Sequence, residues 1–261
     1  GTRPFSPCGF TTASGRAKRL DDTGRAASDT GMRALIFLCV LIAGCGRPLT
    51  APEADLAARL FGPGLDPAPV RIVENGLVGL RSHVFPVRPR TTCRERILPP
   101  AEGPVSEARG AGVVLGNRMQ IRPDLFREDY LRREGEAGAV SLGAAMFLAH
   151  ELTHVWQHQN RARTGYSLWR VGREHVALED PYLFDTDADS DAAEGARFLD
   201  YGYEQQASLV EEYVCCEALD PEGARTARLR ALLSQEMSVG DLPSGLVSLP
   251  WRGVERRGIC G

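Results

Sequence analysis

An α+β fold, in which a small sheet packs on one long helix and a second long helix runs beside it, is predicted by three features of the sequence. Apolar residues recur at helical spacing through Leu142, Ala145, Met146, Ala149, Leu152 and Trp156, and Ser141 can cap the start. The stretch 201–220, YGYEQQASLVEEYVCCEALD, is a second helix stopped by Pro221. Between 71 and 123, short runs alternate apolar and polar residues and end in Asn, Gly or Pro, as strands and turns do.

The 261 residues are 43% hydrophobic and 25% charged with a net charge of −3, a globular balance. An acidic chain gives no electrostatic reason to bind nucleic acid.

The elements follow in order. Residues 1–31 are rich in Arg, Gly, Ser and Thr and read as a non-native or disordered leader. At Met32 the pattern becomes that of an export signal over 32–44: Arg33 supplies a positive start, and 34–43 an apolar run too short to span a bilayer, which takes roughly 20 residues. The run ends in IAGC, which resembles the lipobox of bacterial lipoproteins. That resemblance implies lipidation at Cys45, membrane contact through that lipid, and, with Gly46 rather than Asp following, delivery to the outer membrane facing the periplasm.

Residues 45–70 carry many prolines around one helical candidate, 53–61, and read as a tether plus a small packing element. Segments 71–80 and 82–87, with Asn75-Gly76 as a turn signal, suggest a short hairpin. Residues 98–112 read as loop, and GAGVVLG with RMQIRP, 110–123, as another strand and turn. GAGVVLG lacks the glycine spacing of a nucleotide-binding loop. After the first long helix comes an insert, 161–199, holding His175 and the acidic run DTDADSDAAEG. Asp185, Asp187 and Asp189 have the opening spacing of a calcium loop, but Ser190 and Ala196 break the pattern, so a solvated loop is expected. A third helix fits 222–238, and 241–261 reads as an irregular tail. Cys93, Cys215, Cys216 and Cys260 are even in number, which in an exported protein favours disulfides, with the neighbours Cys215 and Cys216 joined separately to Cys93 and Cys260. No CxxC spacing supports a zinc-thiolate cluster.

The chemistry concentrates in LAHELTHVWQHQ, 148–159. Residues four apart share a helix face, so His150 and His154 can direct their imidazoles at one zinc ion while Glu151 reaches a water on it. Zinc lowers the pKa of that water and polarises a carbonyl, and the carboxylate takes the proton: peptide-bond hydrolysis. The competing reading is a polar helix face that merely carries histidines. His158 cannot complete the site, because His150 to His158 spans about 12 Å of helix rise, so it bonds a loop or lines the cleft edge. The HExxHxxGxxH arrangement also fails, with Gln157 and Asn160 at its last two fixed positions.

The third ligand must therefore come from elsewhere, and the second helix offers one. There Glu204, Ala207, Ser208 and Glu211 share a face, Val210 and Val214 can anchor against the first helix, and small Ala207 permits close approach. Glu204 is the expected ligand, Glu211 the next candidate and His175 the non-carboxylate one, with Ser208 as a possible support for a ligating histidine. His175 and Tyr203, with Tyr166 and Tyr201 behind them, are the candidate hydrogen-bond donors to a developing oxyanion.

HELTHVWQHQ with a downstream EQQAS resembles the gluzincin branch of the zincin metallopeptidases, similar in ligand logic to thermolysin, and bacterial HExxH proteins of secretion- and toxin-associated type. The resemblance covers roughly 110–220. It implies a zincin-like domain over 71–240, a small sheet packed on the active-site helix, His150, His154 and Glu204 as metal ligands for Zn2+, and Glu151 as general base. It further implies that 116–126 forms the strand before that helix, an edge that binds extended substrate. The chain departs from the thermolysin pattern in its longer connection from His154 to Glu204 and in Ser208 where an aspartate is common. The expected activity is that of a zinc metalloendopeptidase acting on a peptide or protein, with cell-wall peptides as chemically equivalent substrates. The alternative class is a non-catalytic binding or assembly module stabilised by metal.

Overall fold

Thr50 opens the first helix, α1 (Ala51–Phe61), in the computed structural model, which describes residues 46–184, 196–240, 242 and 247–261. Its hydroxyl accepts from Glu53 N while the Glu53 carboxylate accepts back from Thr50 N at 2.8 Å, a reciprocal cap. Leu56, Ala57, Leu60 and Phe61 then form one buried face. Glu53 is itself fully buried. It accepts from both terminal nitrogens of Arg47 at 2.7 and 2.8 Å and from Tyr130 N at 2.9 Å.

This segment is not the tether expected over 45–70. Leu65 and Val70 also enter the core, and Arg47–Gly261 form one compact unit. Prolines suggested an extended linker, but the apolar residues between them find a buried partner only in the tertiary fold. The leader 1–31, the signal 32–44, Cys45 and the acidic run around Asp185–Asp189 lie outside the described residues.

The fold is mixed α+β, with three small sheets and seven α-helices among the described residues. In the first sheet β1 (Arg71–Glu74) runs parallel to β5 (Arg118–Ile121), and β4 (Gly112–Leu115) runs antiparallel to β5, giving the order β1-β5-β4. The second pairs β2 (Ser82–Pro86) with β3 (Val105–Arg109), and the third has the order β6-β7-β8 with β6 (Arg133–Glu134), β7 (Ala139–Ser141) and β8 (Val247–Ser248). The hairpin expected over 71–87 does not form. Asn75 does make its turn, accepting from Leu77 N through its side chain, but the chain leaves it for a different sheet. Burial explains the choice, since Ile72 and Val73 are covered by pairing β1 with β5. β5 is thus a central strand, and the edge of this sheet is β4 rather than 116–126.

Five helices follow or flank these strands: α2 (Cys93–Ile97), α3 (Leu142–Gln159), α4 (Arg161–Thr164), α5 (Leu168–Ala177) and α6 (Tyr203–Leu219); α7 (Ala224–Leu233) comes last. Ser141 caps α3, its hydroxyl accepting from Ala144 N. α3 packs along α6, where Ala207, Val210 and Val214 are buried as anticipated. Trp156 is fully buried at the far end of α3, with its ring 6.0 Å from that of Phe198.

Two disulfides, Cys93–Cys215 and Cys216–Cys260, link the adjacent cysteines of α6 outward to separate segments. The second bond, with β8, fastens residues 247–261 to the body, and apart from β8 those residues form turns and loop. No helix among the described residues is long and apolar enough to cross a membrane.

Candidate metal centre

The helical register of α3 places His150, Glu151 and His154 on its inner side, all three buried. Glu204 stands in the first turn of α6 and meets them: its Oε2 lies 3.2 Å from His150 Nε2 and 3.3 Å from His154 Nε2. One ligand atom from each of the three lies within 4.8 Å of the others, the spacing of a metal-binding triad. Of the candidates for third ligand, Glu204 is therefore the one brought to both histidines.

The outward nitrogens are held as well. His150 Nδ1 faces Glu211 Oε2 at 3.3 Å, and Glu211 in turn receives Arg94 Nη1 at 3.2 Å. His154 Nδ1 lies 2.9 Å from Gln157 Oε1, and the Gln157 amide nitrogen donates to Tyr203 O and to Gln206 Oε1, both at 3.0 Å. A backbone carbonyl can only accept, so the Gln157 amide is fixed with its oxygen toward His154. Both imidazoles thus donate their Nδ1–H outward and turn Nε2, the nitrogen that faces Glu204, toward the centre. Once a metal displaces the proton at Nε2, this donor set, two imidazoles plus one carboxylate, suits zinc with a position left for water or substrate.

The Ser208 hydroxyl does not support either histidine. It is buried without a hydrogen-bond partner among the described residues, and Glu211, one turn further along α6, takes the place beside His150. Gln157 and Glu211 are the supporting residues: the sequence offers Glu211 only as a second candidate ligand and gives no role to Gln157, although it stands three residues after His154, a spacing that already puts it on the same face.

Electrostatics follow from these contacts. Burial alone would lower the His150 pKa, but the Glu204 and Glu211 carboxylates hold it up at about 10. Burial would raise Glu204, yet His154 and His150 keep its carboxyl well below the usual range. Glu211 is likewise brought down to about 2, against burial, by Arg94 and His150. Glu151 moves the other way: burial pushes its carboxyl up, opposed by the two histidines. The Glu151 carboxylate lies under β4, where a Cβ added at Gly112 would meet its Oε1 at 2.5 Å. Nothing in the spacing of the sequence singles out Gly112.

His175 and Tyr203 have different fates. His175, with 41% of its side chain exposed, reaches the rim: its Nε2 is 3.5 Å from Glu204 Oε1 and 3.3 Å from Tyr182 Oη. Its Nδ1 donates to Val171 O at 3.0 Å, which leaves Nε2 to accept from the Tyr182 hydroxyl. The Tyr203 hydroxyl instead donates to Thr164 O at 3.3 Å, so Tyr203 packs at the helix start with its hydroxyl bonded there. Tyr182, which is not among the sequence candidates, stands at the centre instead, its ring centroid 5.8 Å from that of His150. Asp180, which holds the chain just before Tyr182, accepts from Arg88 Nη2 at 2.9 Å and from Arg88 Nε. His158 lies against the turn between β4 and β5, within 3.5 Å of where a Cβ on Gly116 would stand, and edge-on to Tyr166. Cys93, Cys216 and Cys260 also cluster, but their sulfurs are spent on the disulfides.

No family model matches the chain, and no curated protein matches it. Among solved structures it is similar to the effector domain of Pseudomonas aeruginosa VgrG2b, at 21% identity and a TM-score of 0.47, over 81% of this chain and 99% of that one. At that level the likeness assigns no residue a role.

Proposed function

We propose that this protein is a zinc metalloendopeptidase of the gluzincin type, anchored through a lipid on Cys45 and acting on peptide or protein substrates at the periplasmic face of the outer membrane. The observation that carries the catalytic reading is the convergence of His150 Nε2, His154 Nε2 and Glu204 on one point, with the carboxylate of Glu151 buried beside them. The anchor rests on the IAGC sequence alone.

Zinc held by that triad supplies Lewis acidity toward a carbonyl oxygen and lowers the pKa of water. The chain does the rest. Glu151, raised by burial, accepts a proton from the attacking water and returns it to the leaving nitrogen. Tyr182 keeps its proton, because burial first and then the charges of Glu204 and Glu151 raise its pKa. Its hydroxyl can turn from His175 to the oxyanion as charge develops there. β4 is an edge strand that presents free backbone groups beside Glu151, which favours an extended peptide over a compact substrate. A purely structural zinc site would be closed and would need no buried carboxylate at its open side.

Metal analysis after equal dialysis, paired with cleavage of a peptide library that includes cell-wall fragments, tests this reading. Glu151→Gln is expected to retain zinc and lose hydrolysis by about 10²-fold or more; Glu204→Gln is expected to lose zinc. Zinc-dependent folding of the wild type with no cleavage of any substrate would favour a metal-stabilised binding module instead. Absence of lipid incorporation at Cys45, when the gene is expressed from Met32, would remove the anchor.

A further inference from the structure

The two disulfides leave α6 from adjacent cysteines but reach different places. Cys216–Cys260 fastens the C-terminal segment. Cys93–Cys215 fastens α2, a short helix whose next residue is Arg94. Glu212 holds the same helix, accepting from Cys93 N at 2.7 Å and from Arg94 N at 3.1 Å. With its backbone fixed on both sides, Arg94 turns its guanidinium to Glu211 Oε2, the oxygen that also faces His150 Nδ1. A continuous path thus runs from the disulfide through Arg94 and Glu211 to a histidine of the triad. Cys216–Cys260 meets this path only at Glu212, one step behind Arg94: Cys216 Sγ lies 3.8 Å from Glu212 Oε1, and Arg225 donates its backbone N–H to Cys260 O and its Nη1 to Glu212 Oε1 at 3.5 Å.

We propose that Arg94, pinned by the Cys93–Cys215 disulfide and by Glu212, is a positioning residue for the metal centre, and that this disulfide, unlike Cys216–Cys260, sets how tightly the site holds a divalent metal. The inference rests on the reading of His150, His154 and Glu204 as ligands. Its physical basis is that a carboxylate can orient an imidazole only if it is oriented itself. Free to rotate, Glu211 would swing to solvent or to Glu204's side of the ring, and His150 would have to be ordered by the ion. Loss of such outer contacts weakens metal binding by about 10–100-fold.

Zinc affinity of the full-length chain, measured by competition with a chromogenic chelator, tests the proposal. Arg94→Ala and the double replacement Cys93→Ser with Cys215→Ser are both expected to weaken zinc binding by about 10–100-fold. Arg94→Lys, which keeps a cation within reach, restores most of the loss. Cys216→Ser with Cys260→Ser leaves the affinity within about threefold, although it lowers the melting temperature. Glu211→Gln supplies the decisive background: a residue acting through Glu211 adds little further loss there, whereas a residue with only a general structural role adds its full effect. Unchanged affinity in Arg94→Ala, or full additivity with Glu211→Gln, overturns the proposal. If Arg94→Ala does not fold, Arg94→Gln, which keeps much of the side chain and removes its charge, provides the same comparison alone and with Glu211→Gln. Wild-type chain that binds no zinc, or a His154→Ala variant that binds it as tightly as wild type, overturns the ligand assignment instead, so the two failures are distinguishable.

Discussion

At the scale of single residues, the centre depends on which nitrogen of each histidine is committed elsewhere. His150 gives Nδ1 to a carboxylate and His154 gives Nδ1 to an amide oxygen; both are left with the same nitrogen facing Glu204. His175 is committed in the same sense, to Val171 O, and for that reason can only receive a proton from Tyr182. This separates Tyr182, which the sequence does not offer, from Tyr203, which it does. Tyr182→Phe is expected to lower kcat by roughly 10²-fold, the usual cost of an oxyanion donor, with zinc retained. Tyr203→Phe, which removes only a bond to Thr164 O, is expected to leave kcat within about twofold, as exposed or weak single hydrogen bonds do. Steady-state cleavage of a fluorogenic peptide with parallel metal analysis checks both, and equal losses in the two variants would refute the distinction. His150, Glu151 and His154 were legible because the HExxH spacing sets them on adjacent turns of one helix. Tyr182 was not, since no spacing links it to the motif and only the return of the insert brings it near His150.

At the scale of elements, β4 and α1 show how the frame acts on the site. Gly112 opens β4, and the space a side chain would occupy there is filled by the Glu151 carboxylate. Because that carboxylate is the end of a flexible side chain, Gly112→Ala is expected to fold and to keep zinc while displacing the base. The expected loss in kcat is at least about tenfold, given that a misplacement near 1 Å can cost 10²-fold; full activity would mean that Glu151 adjusts freely. α1 contributes differently. Glu53 joins Arg47, Thr50 N and Tyr130 N in one buried cluster, so Glu53→Ala leaves a cation and two backbone donors unpaired. Removing one partner of a buried pair costs about 3–5 kcal/mol, which thermal denaturation would register as a large fall in melting temperature with no change in metal stoichiometry. The helix α1 could be read from its apolar spacing, but its membership of the core could not. Glu53 looks like a solvated carboxylate until Arg47 and Tyr130 are seen to converge on it.

At the scale of the whole molecule, buried charges tie stability to pH in a direction that metal reverses. In the metal-free protein His150 is raised from 6.5 to about 10. Its folded pKa exceeds the unfolded one, so the stability it contributes is complete below about 6.5 and is lost as pH rises toward 10. Glu211 is lowered from 4.5 to about 2, so its contribution is present above about 4.5 and is lost as pH falls toward 2. Melting temperatures with chelator should therefore decline from pH 6.5 to 10, and those with zinc should not, because the ion takes the place of the His150 proton. A flat profile in chelator would show that His150 does not bear the proton that its surroundings hold there.

The sequence by itself determined the parts whose logic is local: two long helices, a short-stranded β component, His150, Glu151 and His154 on one turn, and the pairing of neighbouring cysteines with separate partners. It also narrowed the third ligand to one helix face, because Glu204 and Glu211 recur at helical spacing. Only the tertiary structure decided between them, since the angle and depth at which α6 meets α3 put Glu204 against both Nε2 atoms and Glu211 behind one ring. The same holds for the sheet. Strand character is written in alternation, but pairing depends on which apolar face finds cover, and that placed β5 in the centre, left β4 at the edge and sent β2 to another sheet. Residues whose role is to fit or to hold, Gly112, Gln157, Arg94 and Tyr182, carry no signal until the segments that they touch are brought across the fold, because contact between distant segments is set by packing and not by spacing.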